Sequence, residues 1–114
     1  GVGQQINQSH KTYGPLAFTG GYQGILMQGG VTDITVGSFT HFNPTGYGIY
    51  MGAGIKGAND HVTLNDLDIE LVTAGEHCIR IYNATNLTIN RAKLVQLLIT
   101  KNTGIVQHLL RFRA

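Results

Sequence analysis

The chain has 114 residues, 42% of them apolar and only 12% charged, with 16 glycines and a single cysteine. That apolar share is ordinary for a globular protein and argues against disorder, and a formal charge of +2 is too small to argue for nucleic acid. One cysteine excludes an intrachain disulfide, and no apolar run approaches the roughly 18 residues of a membrane helix.

The length suits one domain. No signal peptide is visible. The first residue is Gly1 rather than Met, as expected of a processed chain or of a piece of something larger. Residues 1–20 are poorly patterned, with a polar lead followed by one short strand at Leu16-Ala17-Phe18, and read as a partial coil, a cap or an arm. Residues 21–114 carry repeats. A first series runs Gly24-Ile25-Leu26-Met27, Gly48-Ile49-Tyr50-Met51, Cys78-Ile79-Arg80-Ile81 and Leu109-Leu110-Arg111-Phe112. A second follows the first three members as Asp33-Ile34-Thr35-Val36, His61-Val62-Thr63-Leu64 and Asn86-Leu87-Thr88-Ile89. A third lies five residues on, at Phe39, at Leu67 with Ile69, and at Ala92 with Leu94.

Apolar–polar alternation in each segment predicts strands with one buried face. Three short strands per repeat, joined by Gly-, Asn- and Thr-containing turns, predict a solenoid with three parallel sheets. Ile25, Ile49, Ile79 and Leu110 would stack as one apolar column. Residues 93–99 would also fit two helical turns, but they fall where the third strand is due. The sequons Asn83-Ala84-Thr85 and Asn86-Leu87-Thr88 are what a Thr- and Asn-rich turn produces by chance.

On the phrases Gly48-Ile49-Tyr50-Met51, Val62-Thr63-Leu64, Ile79-Arg80-Ile81 and Asn86-Leu87-Thr88-Ile89, the chain resembles the right-handed parallel β-helix superfamily over about residues 21–114. That superfamily includes pectate-lyase-like and polygalacturonase-like enzymes and phage tailspikes. Glu76-His77-Cys78-Ile79-Arg80-Ile81 and Gln107-His108-Leu109-Leu110-Arg111-Phe112 are similar to coils of polysaccharide-lyase-like members. The resemblance implies an all-β, single-stranded right-handed parallel β-helix of about 3–4 coils, a polysaccharide ligand, and an extracellular or phage- or cell-surface location. Members generally have many more coils, which makes this chain a minimal one or a fragment. The tail stops in mid-coil without a polar cap, so self-association through the uncapped end, or a missing remainder, is expected.

Strand alternation puts Cys78, Arg80 and Tyr82 on the outer face, although a lone strand cysteine is more often a small core residue. The outer column would read Leu26, Tyr50, Arg80, Arg111, with Arg113 on the same face and His77 and His108 stacked beside it. Adjacent arginines suit a bound carboxylate, and Tyr50 and Tyr82 offer faces for sugar rings. In a lyase reading an arginine neutralises the uronate carboxylate, while His77, His108 or a tyrosine removes the proton α to it. Hence His77, Arg80, His108 and Arg111 are the candidate catalytic residues, and Tyr50, Tyr82 and Arg113 the candidate substrate-binding residues. The alternative is a solvated face whose arginines pair with Glu76 or another acid.

Asp66, Asp68 and Glu70 would share a second outer face, spaced for an inverting glycosidase or for calcium, with no other cofactor expected. The Asn-Thr-Asp and Asp-Asp signatures of polygalacturonase-like enzymes are absent, and a charged solvent face is the simpler reading. His41, His61, His77 and His108 lack paired zinc-type spacing. Gly52-Ala53-Gly54-Ile55-Lys56-Gly57 lacks the phosphate-loop spacing and reads as a turn. The expected function is therefore action on, or binding of, an acidic polysaccharide, without nucleic acid or membrane as partner. The alternatives are a non-catalytic phage-tail-type or adhesion module, and a structural solenoid or fragment.

Overall fold

The computed structural model describes residues 2–52, 57–72, 77–82, 84–95 and 99–101, the last three by backbone alone. It is an all-β parallel solenoid. The first winding holds β1 (Val2–Ile6), β2 (Lys11–Tyr13) and β3 (Leu16–Thr19), and the second β4 (Gln23–Met27), β5 (Thr32–Val36) and β6 (Phe39–Phe42). Then come β7 (Tyr47–Met51), β8 (Asn59–Glu70), β9 (His77–Ile81), β10 (Ala84–Val95) and β11 (Ile99–Lys101). One sheet stacks β1-β4-β7-β9-β11. The other runs β2-β5-β8-β6-β3, with β10 paired along β8. Residues 2–19, the stretch read as a partial coil, cap or arm, thus give strands that pair in register with β4, β5 and β6.

The apolar columns follow from the fixed spacing of parallel strands, about 4.8 Å, which places equivalent side chains of successive windings in contact. Ile25, Ile49 and Ile79 are in register and fully buried. Ile34, Val62 and Leu87 form a second column, and Phe39, Leu67 and Ala92 a third. Each fully buried aliphatic side chain contributes roughly 1.5–3 kcal/mol. Outside the core, Thr12, Thr35, Thr63 and Thr88 stack one above another, a favourable cross-strand pairing of β-formers.

Two expectations change. The expected second and third sheets are one sheet. β8 and β10 run unbroken through the corner between them, because Asp66 and Arg91 take positive φ (52° and 56°) and bend the strand without ending it. Further, the residue stacked beyond Ile79 is Ile99, not Leu110, and Thr100 rather than Arg111 pairs with Arg80. Ile99-Thr100-Lys101 offers the same apolar–polar alternation earlier in the chain and reaches the sheet first. His108, Arg111, Arg113 and the expected strand Leu109–Phe112 lie outside the described residues.

A tighter corner explains one residue choice in each repeat. His10, Asp33, His61 and Asn86 occupy one register position, and all have φ between 51° and 60°. Few L-residues accept this conformation, and Asn, Asp and His are enriched among those that do. Asp60 ties the corner across windings. Its Oδ1 accepts bonds from Thr85 Oγ1 at 2.5 Å and Asn86 Nδ2 at 2.9 Å, while His61 Nδ1 lies 2.9 Å from Oδ2. These bonds, from Thr85 foremost, lower the Asp60 pKa to about 2. At the next corner Asn90 Nδ2 donates to Asn65 Oδ1 at 2.8 Å.

Two features of the core lead to predictions. A Cβ on Gly24 would stand 2.5 Å from both the Phe39 and His41 rings, so Gly24→Ala forces them apart and is expected to cost about 1–3 kcal/mol in urea unfolding. His41 is itself buried, and its Nε2 donates to the Gly20 carbonyl at 2.5 Å. Burial lowers its pKa below 6.5, outweighing the carbonyls of Gly20 and Gly48, which raise it. The unfolded chain therefore takes up this proton at higher pH than the folded one. The stability held by the neutral ring is complete above pH 6.5 and is lost as pH falls from there through the lowered folded value. Urea midpoints at about pH 7.5 and about pH 5 should differ more in the wild type than in His41→Gln.

Candidate functional site

The outer side of the five-stranded sheet carries a cluster of aromatic rings around one guanidinium. Strand register aligns Leu26, Tyr50 and Arg80 on successive windings, and Tyr47 with His77. Tyr47 is 7% exposed and forms the floor. Its ring is parallel to the His77 ring (4°, centroids 6.1 Å apart), lies 5.2 Å from Tyr50, and meets Tyr22 edge-on at 5.9 Å. Tyr22 forms the rim, 45% exposed. It fits because Gly46 has no side chain: a Cβ there would come within 2.6 Å of the Tyr22 ring. Tyr82, just past β9, packs 5.6 Å from Tyr50.

Arg80 sits among these rings, half-buried. Its Cζ is 4.7 Å from the Tyr82 ring centroid and 5.8 Å from that of Tyr47, and its Nη2 donates to Tyr82 Oη at 2.5 Å. Such cation–π contacts contribute about 0.5–2 kcal/mol each, more as water is excluded. The Arg80 Nε is buried without a hydrogen-bond partner, and among the described residues no carboxylate forms an ion pair with the guanidinium. Among the described residues its positive charge is met by ring faces and phenol oxygens. Burial, with a smaller contribution from Tyr82, pushes the Tyr50 phenol above its usual range despite the opposing Arg80 charge, so Tyr50 stays protonated at neutral pH.

The structure thus brings together four of the residues read as a site, His77, Arg80, Tyr50 and Tyr82. The repetition expected in the next winding is replaced by Thr100 beside Arg80. Sequence reasoning gave Tyr22 no role. Its signal was the recurrence of tyrosine beside glycine in Gly21-Tyr22 and Gly46-Tyr47-Gly48. The other described histidines are dispersed: His10 is exposed beside Asp33, His41 is in the core, and His61 is exposed at the Asp60 corner. Among the described residues no three His, Cys, Asp or Glu side chains converge as metal ligands.

Cys78 does not face outward. It is fully buried, its thiol 3.7 Å from the carbonyl oxygens of Ile69 and Val95. Its register neighbours are Gly24 and Gly48, and a Cβ on Gly48 would meet Ile69 at 2.8 Å. This position therefore turns toward the core, and simple alternation fails there because the consecutive residues Cys78 and Ile79 are both buried. On the second acidic face Asp66 is paired. Arg91 Nε and Nη2 hold Asp66 Oδ1 and Oδ2 at 2.5 and 3.0 Å, a bidentate pair between windings.

No protein-family model, no curated protein and no solved structure matches this chain. Burial raises the pKa of the Cys78 thiol to about 11, so little thiolate forms at neutral pH. An aromatic disulfide reagent at about pH 8 should leave the native protein unlabelled, and should label one thiol per chain once urea is added.

Proposed function

We propose that the outer face of the five-stranded sheet binds an acidic polysaccharide, with Arg80 as the carboxylate contact and Tyr22, Tyr50 and Tyr82 as the surfaces for sugar rings. One observation carries this reading. Arg80 is a half-buried cation with an unpartnered Nε and no carboxylate partner among the described residues, set in a frame of tyrosines. A uronate carboxylate would complete its donor set in the planar geometry that a guanidinium favours. Rings carried on successive windings suit the apolar faces of a chain laid across the windings. The coil phrases that resemble pectate-lyase-like and tailspike-like β-helices support the same ligand class.

A lyase reading has its own support in His77, whose ring stacks on Tyr47 within the same cluster as Arg80. With Tyr50 held protonated, His77 is the better base for removing the proton α to the uronate carboxylate. Binding alone requires only Arg80 and the tyrosines.

Calorimetric titration with oligogalacturonate, oligomannuronate and oligoguluronate tests the binding. Arg80→Ala and Tyr50→Ala are each expected to weaken it about tenfold, or about 1.4 kcal/mol, and added salt to weaken it further. A well-folded wild type that binds none of the three overturns the reading. The ultraviolet absorbance of unsaturated uronate separates the two forms. Product that vanishes in His77→Ala while affinity persists makes the protein a lyase, and affinity without product makes it a binding module.

A further inference from the structure

A second surface lies on the other sheet, where β3, β6 and β8 run side by side. Its outward residues form a groove lined by Ala17, Thr19, Thr40, Phe42, Asp68 and Glu70. Strand register sets Thr40 beside Asp68, and Phe42 between Thr19 and Glu70. Phe42, the last residue of β6, is 48% exposed. It has no ring partner among the described residues, whereas Phe18 and Phe39 pack against each other and against His41.

The carboxylates beside Phe42 also stand apart from the other acids. Asp33 is held by His10, Asp60 by Thr85 and Asn86, and Asp66 by Arg91. Among the described residues, the side chains of Asp68 and Glu70 have no such partner. Lys93, the register neighbour of Asp68 on the next winding, forms no ion pair with it. The two carboxylates are alternate residues of one strand, about 6.6–7 Å apart along one face, within reach of a single sugar ring over Phe42.

We infer that this groove binds a sugar bearing an ammonium group, of the glucosamine type. Phe42 stacks on the apolar face of the ring, Asp68 and Glu70 pair with the ammonium and accept hydroxyl protons, and the hydroxyls of Thr19 and Thr40 bond at the edges. Charge complementarity selects the amino sugar over a uronate, which these carboxylates repel. The site is separate from the Arg80 cluster in both sheet and sign of charge.

Titration of the full chain at about pH 6 with the hexasaccharide of glucosamine, its fully N-acetylated counterpart and hexalysine tests the inference. The glucosamine hexamer is expected to bind. Phe42→Ala and the double variant Asp68→Asn/Glu70→Gln should each weaken it about tenfold, and Arg80→Ala should leave it unchanged. The acetylated hexamer should bind about tenfold more weakly. Urea midpoints confirm that the exposed-residue variants remain folded. The inference is overturned if the glucosamine hexamer does not bind. It is also overturned if the acetylated form binds as tightly, or if Phe42→Ala binds like the wild type, as pure charge attraction shared with hexalysine would produce. Failure of uronate binding at Arg80 leaves this result untouched.

Discussion

Successive windings turn the same corner on the same backbone conformation, and the rest of the molecule depends on it. Residues 10, 33, 61 and 86 are all held at φ between 51° and 60°, in a region that costs an L-residue about 1–2 kcal/mol. The hydrogen bonds from Thr85 and Asn86 to Asp60 offset part of that cost and lock one winding to the next. With the corner fixed, the inward residues after it fall into register, which is why Ile34, Val62 and Leu87 meet in the core. A slip of one residue would exchange the buried and exposed faces of the whole strand.

The same stacking arranges the charges. Acids and bases of neighbouring windings lie one strand spacing apart, so the carboxylate of Asp66 meets the guanidinium of Arg91 by register alone. Pairs as exposed as this one contribute little to stability. Their consequence is contrast. Among the charges left without an opposite partner among the described residues are Arg80, within its tyrosines, and Asp68 and Glu70, beside Phe42. A solenoid repeats side chains along its axis, so each face offers an extended ligand a row of contacts in place of a closed pocket.

Glycine shapes both the core and the outer cluster. Gly24 and Gly48 leave room for Phe39, His41 and Ile69 behind the five-stranded sheet, and Gly46 leaves room for Tyr22 in front of it. Cys78, the next residue in that inner position, is the small side chain that the fourth winding admits. The composition therefore reflects close packing on both sides of this sheet as well as the turns between strands.

The sequence by itself determined the strand pattern and most of the stacking. Alternation of Ile25, Ile49 and Ile79 with outward Leu26, Tyr50 and Arg80 is a local property, and burial of one face follows directly from it. The recurrence of Asp-Ile-Thr, His-Val-Thr and Asn-Leu-Thr marked the second strand of each repeat. Three things were decided only by the tertiary structure. The strand that follows Ile79 is the one beginning at Ile99, because pairing depends on which alternating segment returns first to the sheet edge, and the likeness of Leu110-Arg111 to Ile79-Arg80 says nothing about that. Cys78 is buried together with its neighbour Ile79, its thiol against the carbonyl oxygens of Ile69 and Val95, which period-two reasoning cannot detect. The surroundings of Arg80 and of Phe42 are assembled from residues on different windings, and only the register between windings makes them neighbours.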